Sequence, residues 1–373
     1  MDRVRAGSRL NFLREHMRSI KITRRSASRA RSATRQLLLC GAVAVLVCGA
    51  AASQAQAAAK KPAAAPPAQF DPSKAEVQTL HVQGNVYLLS GAGGDVTVQV
   101  GEDGVLVVDT GLQPMADKLL AAIQKLADGK IIRFVINTHM HPDHVGGNEK
   151  IRMAGTTIMG GNVVGDDPRG QQGATVIAHE NVMSRMADSS SESAAPAPLW
   201  PTETFDEDAY DLFFDDEAVQ LIHVPAAHTD GDVMVYFRKS DVLSTGDLFV
   251  TTTYPIVDLQ HGGNINGIVD ALNRIIDITV PRDKQEGGTY VIPGHGRVCD
   301  EADVVDYRDM VTIIRDRIKQ MVDGGMTLQQ VQAAKPTSDY DGRYGASSGF
   351  WTTEKFVEAV YRSLHDAKKP DAR

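Results

Sequence analysis

The sequence predicts an α/β protein whose chemistry gathers at one edge of its strands. Three observations carry this reading. An apolar run at residues 131–137 is long enough for a buried strand and ends directly in Thr138-His139-Met140-His141-Pro142-Asp143-His144. Before it, β-like segments pass through a helical pattern at residues 115–126, the strand, helix, strand order of an α/β unit. After it, three more apolar segments each close on a lone polar group within a few residues: His228, Asp247 and His295.

The 373 residues, 42% hydrophobic and 23% charged, suffice for a sizeable core and exclude a fibrous or wholly disordered chain. Residues 1–57 read as an export signal. The first 36 carry 11 Lys and Arg against Asp2 and Glu15, an apolar run at 37–52 follows, and Ala55-Gln56-Ala57 supplies a small-x-small cleavage pattern. Met17 is an alternative start. The apolar run is short for a membrane span, and Val47 before Cys48 does not suit a lipoprotein signal. The expected location is periplasmic or secreted, with no stable membrane insertion after cleavage. Cleavage leaves 28 Lys and Arg against 45 Asp and Glu, about −17 net, a surface that repels nucleic acid. Cys299 becomes the only cysteine, so no internal disulfide forms.

Residues 58–75, rich in Pro and Ala, predict a tether. A catalytic domain is expected over 76–300 and a C-terminal helical extension packed on it over 301–373. Strands are expected at 79–82, 86–89, 96–100 and 105–108, with turns at Gly84-Asn85 and Glu102-Asp103-Gly104. The last ends at Asp109, where a carboxylate can hold a ligand ring or the backbone of the histidine loop. Beyond that loop, strands are expected at 156–159 and 176–180, a helix at 181–186, and a segment at 189–201 that serves as wall or lid. Strands at 219–224, 233–237, 242–243 and 289–292, a helix at 264–276 and C-terminal helices at 307–321 and 353–364 complete the reading.

Three imidazoles and a carboxylate within six residues are costly to bury by packing alone, because each needs its own partner. A metal satisfies them together. Four strand-end loops bring seven possible ligands to one edge: His139, His141, Asp143, His144, His228, Asp247 and His295. Imidazole and carboxylate donors without thiolate suit zinc and also allow iron or manganese.

The order H-x-H-x-D-H, an isolated His, G-D at a strand end and then G-H-G resembles the metallo-β-lactamase fold superfamily over about residues 77–300. The resemblance implies a four-layer αββα sandwich and a site for two Zn2+. His139, His141 and His228 would hold the first ion, Asp143, His144 and His295 the second, and Asp247 would bridge them. It implies a bridging hydroxide that cleaves an ester, lactone, thioester or β-lactam in a small molecule, with Asp143 orienting it or moving its proton. Secreted β-lactamases of this fold commonly carry Cys or Ser where this chain has Asp247, which instead resembles the glyoxalase II and lactonase pattern. Two alternatives stand beside it: an oxidoreductase resembling the persulfide dioxygenases, with a single iron, and a catalytically silent metal-binding module. His179 and His261 are candidate pocket residues. His81, His223 and His365 read as surface or core, Asp230 and Asp232 as turn residues, and Cys299 as packing. Pocket walls are expected from 160–201, 251–263 and the C-terminal loop. The expected partner is a small-molecule substrate, and no oligomeric state is legible.

Overall fold

A computed structural model describes residues 71–157, 173–190, 194–284 and 287–366. The export signal, most of the tether and most of the loop at 160–173 lie outside them. An antiparallel meander opens the fold: β1 (Gln78–Gln83), β2 (Val86–Ser90), β3 (Val96–Val100) and β4 (Val105–Val108). Helix α1 (Ala116–Ala127) crosses to β5 (Ile132–Ile136), which lies parallel to β4 with Val108 opposite Ile136. Short helices α2 (Pro142–Val145) and α3 (Asn148–Met153) follow, then β6 (Thr175–His179), α4 (Glu180–Ala187) and β7 (Glu203–Phe205), completing a seven-stranded sheet ordered β1 to β7.

The second sheet has five strands. β8 (Ala209–Phe214), β9 (Glu217–Val224), β10 (Asp232–Phe237) and β11 (Val242–Ser244) run antiparallel, and α5 (Ile265–Ile278) crosses to β12 (Tyr290–Ile292), parallel to β11. Four helices end the described chain: α6 (Glu301–Asp323), α7 (Leu328–Ala334), α8 (Asp341–Tyr344) and α9 (Thr353–Asp366). Among the described residues no helix is long and apolar enough to cross a membrane.

Alternation along β4 explains the layering. Leu106 and Val108 point to one face and pack with Leu221, Val235 and Val242 of the second sheet; Val105 and Val107 point to the other and pack with Leu119 and Ile123 of α1. A strand buried on both faces reads as an unbroken apolar run, which Val105-Leu106-Val107-Val108 is. The outer face of the second sheet is covered by Ile265, Ile268, Leu272 and Ile275, spaced along one face of α5, and by α6 and α9. The order is therefore helix, sheet, sheet, helix, the four layers expected from sequence.

The C-terminal helices share that outer core rather than decorating it. Tyr307 and Phe356 are fully buried with Phe249 and Tyr254, and each such side chain contributes on the order of 1.5–3 kcal/mol of burial. Cys299 is buried among them and burial pushes its thiol up to about 12, so packing is its role. Two differences from expectation stand out. Thr156 and Thr157, the described part of the strand expected at 156–159, are not in a strand. β7, β8, α7 and α8 went unpredicted, because β7 is three residues long, β8 is largely exposed, α7 (Leu-Gln-Gln-Val-Gln-Ala-Ala) buries only Val331 and α8 is a single turn.

Candidate metal centre

Every predicted donor stands just past a strand: 139–144 after β5, His228 after β9, Asp247 after β11 and His295 after β12. The structure brings all seven together. Ligand atoms of His139, His141 and His228 lie within 4.8 Å of one another, as do those of Asp143, His144 and His295, and those of His139, His144 and Asp247. Asp247 stands between the groups. Its Oδ1 is 3.2 Å from His144 Nε2 and 3.5 Å from His295 Nε2, while Oδ2 is 3.8 Å from His228 Nε2.

Local structure holds the histidine loop at both ends. Asn137 and Asn148 exchange two side-chain hydrogen bonds across it, at 3.0 and 2.8 Å, and Asn148 also donates to the Leu199 carbonyl. Asp109 then fixes its interior: Thr138 donates to it through its backbone N–H at 2.8 Å and its hydroxyl at 2.7 Å, and His144 Nδ1 donates at 2.7 Å. To reach both, Asp109 adopts a φ of 63°, which non-glycine residues seldom hold. Gly94 is required beside it, since a Cβ there would run into the His144 ring.

The same logic sets each ring's tautomer. His228 Nδ1 donates to the Ile256 carbonyl at 2.8 Å, His141 Nε2 to Asp258 at 2.9 Å, and His144 Nδ1 to Asp109. Because the Thr138 hydroxyl already donates to Asp109, it accepts from His139 Nδ1 at 3.0 Å. For His139, His141 and His228 the other nitrogen is left as a lone pair facing the centre, whereas His144 Nε2 faces the Asp247 carboxylate. His141 Nδ1 and His228 Nε2 face each other at 2.9 Å, and His139 Nε2, His144 Nε2 and Asp247 Oδ1 are buried with no hydrogen-bond partner among the described residues. His144 Nε2 and Asp247 Oδ1 are close without hydrogen-bond geometry. Buried nitrogen and oxygen atoms that converge without partners are costly for a protein alone and suited to a divalent cation, which displaces any proton they carry.

Electrostatics divides the two groups. Burial lowers His139 well below the usual imidazole range, helped by neighbouring rings, and lowers His228 to about 4. Burial opposes charge on His144 too, but the carboxylates of Asp247, Asp109 and Asp143 outweigh it and raise that ring well above the usual range. Burial would raise Asp143, yet His144 and His295 hold it at about 2. A cation binding between Asp143, His144 and His295 therefore displaces a proton, whereas His139 and His228 have none to lose at neutral pH. Acidification should weaken the Asp143 group first. Calorimetry in buffers of different ionisation enthalpy should show more protons released per ion at that group, where both His144 and His295 are raised; equal release at both would contradict the assignment.

Other expectations resolve as follows. His179 does not reach the centre: it stacks on His223 with centroids 3.6 Å apart and accepts from the Asn181 N–H, capping α4. His81 and His365 are surface rings against Tyr87 and Tyr361. Asp232 closes the turn carrying His228 by accepting from Thr229, and Asp230 pairs with Arg185, so neither joins the donor groups. His261 lies one residue removed, its Nδ1 2.6 Å from the Asp258 carboxylate that also holds His141. Asp258 escaped sequence reasoning although Asp258-Leu-Gln-His261, a carboxylate and a ring three residues apart just after the segment carrying Ile256, was a visible signal. Asp95, buried beside the centre and raised to about 7 by that burial, escaped it too. A cavity of about 480 Å³ opens on His141, Asp143, Asp247 and His295, its walls drawn from 250–256 and 346–351. The walls expected at 251–263 and in the C-terminal loop are among those found; no described residue of 173–201 lines the cavity, and 160–172 and 191–193 lie outside the described residues.

Three comparisons bear on this arrangement. The pattern describing the metallo-beta-lactamase superfamily matches residues 83–295. A linear primary-alkylsulfatase from Pseudomonas sp. (strain ATCC 19151) is 25% identical over 266 residues, 60% of this chain and 46% of its own length. Solved structures of a double mutant of the sec-alkyl sulfatase PisA1, and of the inverting sec-alkylsulfatase Pisa1 from Pseudomonas sp., share 15% identity with TM-scores of 0.55 and 0.53. They are covered over 52% and 50% of their lengths, against 80% and 77% of this chain. The chain thus spans about half the length of these relatives.

Proposed function

The chain belongs to the metallo-β-lactamase superfamily, and from that premise we propose that it is a metal-dependent hydrolase using two zinc ions to cleave an acyl bond in a small molecule. The observation carrying this is the set of buried, partnerless atoms, His139 Nε2, His144 Nε2 and Asp247 Oδ1, each aimed inward while the far side of each ring is tied down. His139, His141 and His228 would hold one ion, Asp143, His144 and His295 the other, with Asp247 between them. Ions bound there would supply Lewis acidity and an activated water near neutral pH.

The residues themselves do the positioning. Asp143, partly open to the cavity and held ionised by His144 and His295, would accept a hydrogen bond from the attacking water and orient it, or relay its proton towards the leaving group. Asp247 is buried and held ionised, so it keeps the two donor groups in one field. No Lys or Arg is among the described residues lining the cavity, which favours an uncharged acyl substrate over an anionic one. Cleavage of a sulfate ester is the second reading, favoured by the activities the relatives' names carry. Export, read from residues 1–57, belongs to the same proposal.

The test is zinc content and turnover on one sample of the full chain, offered a carboxylic ester, a lactone, a thioester, a β-lactam and a primary alkyl sulfate. Acyl cleavage that a chelator abolishes and zinc restores is expected. Sulfate release alone would replace the first reading by the second. One bound iron with oxygen uptake and no hydrolysis would overturn both, and bound metal with no turnover would indicate a silent module.

A further inference from the structure

We propose that the loop at residues 345–352, between α8 and α9, is the specificity wall of this centre and receives an uncharged, apolar chain attached to the scissile bond; this rests on the hydrolase reading above. Ala346, Phe350 and Trp351 of this loop and Val250 and Ile256 line the same cavity as His141, Asp143, Asp247 and His295. A molecule whose reacting bond sits at the four donors has its substituent against these apolar groups. Phe350 is 79% exposed, a large ring left in water that such a chain would cover.

The walls are built rather than loose. Ala346 and Thr353 bind each other twice, through the Thr353 N–H to the Ala346 carbonyl at 2.9 Å and the Ala346 N–H to the Thr353 hydroxyl at 3.1 Å. Lys355 Nζ donates to the Phe350 carbonyl at 2.7 Å and stands 5.6 Å from the centre of its ring, which uses that ammonium at the rim. On the facing side, the Tyr254 hydroxyl donates to Asp341 at 2.8 Å and its ring stacks on Phe356 of α9, while Tyr307 of α6 donates to the Thr253 carbonyl at 3.0 Å. One set of helices thus positions both walls, so the width between them is set before a ligand arrives.

Zinc-loaded full chain would be given p-nitrophenyl esters from acetate to octanoate. For the unaltered chain, kcat/KM is expected to rise about fourfold per buried methylene, and Phe350→Ala and Trp351→Ala to flatten that rise, whereas Phe213→Ser, on exposed β8, should not. A slope unchanged in both wall variants would overturn the inference. A second arm needs no turnover: n-butanol to n-octanol titrated against tryptophan fluorescence. Affinity that grows with chain length and drops in Phe350→Ala supports the wall; affinity indifferent to either overturns it. Absence of ester hydrolysis with a positive second arm would remove the acyl reading and leave the wall.

Discussion

Asp247→Ala should lower bound zinc from about two equivalents to about one and reduce hydrolysis by more than about a hundredfold, since even groups that only orient a metal ligand are worth 10–100-fold. Asp247 faces His144 and His295 through one oxygen and His228 through the other, and it is buried. Its removal takes away a donor and also leaves the protonated His144 ring with less opposing charge. A truncated side chain leaves space as well, because Gly294 packs directly against this carboxylate. Asp247→Asn keeps the shape and loses the charge, so similar losses in both variants would assign the effect to charge and donor chemistry. Mass-spectrometric metal content with turnover on the same sample decides it: full activity with both ions bound would show the bridging role to be wrong.

Asp109→Asn should lower metal affinity at the Asp143, His144 and His295 group by about 10–100-fold while leaving the fold intact. Asparagine tolerates positive φ, so the 63° backbone survives the change. Its single carbonyl oxygen cannot replace both carboxylate oxygens, which take the Thr138 N–H, the Thr138 hydroxyl and His144 Nδ1. The amide also removes the anion that keeps His144 Nδ1 protonated and Nε2 turned inward. Zinc titration followed by circular dichroism separates the cases: affinity unchanged in a folded variant would mean that Asp109 serves the loop backbone alone.

The two orienting carboxylates differ in how far the sequence revealed them. Asp109 was legible because it ends a clear strand beside the strand feeding the histidine loop. Asp258 was legible only as a carboxylate three residues before His261; its partner was not, since the contact with His141 spans 117 residues and no periodicity encodes such a pairing. The donors were legible for the converse reason: four lie within six consecutive residues, and each of the others ends an apolar strand. Layering was implied by the resemblance alone, and the structure accounts for it by the burial of strands such as β4 on both faces. What escaped, β7, β8, α7 and α8, consists of short or half-exposed elements whose propensity is too weak to stand without tertiary partners. The cavity wall was legible in part: 251–263 and the C-terminal loop were expected and do line it, whereas Phe350 and Trp351, just past the glycine-rich stretch, are ordinary surface aromatics until the fold brings them to the same cavity as Ile256.

The loop at 345–352 bears on how such a protein diversifies. Its shape depends on backbone groups and on Thr353 and Lys355, so the side chains at 346, 348 and 350 can be exchanged without disturbing what holds it. The donors allow no such freedom, because each touches two or more others. On the role proposed for this loop, selection could redirect what is cleaved through a late stretch of the gene while the donors, encoded earlier, stay constant.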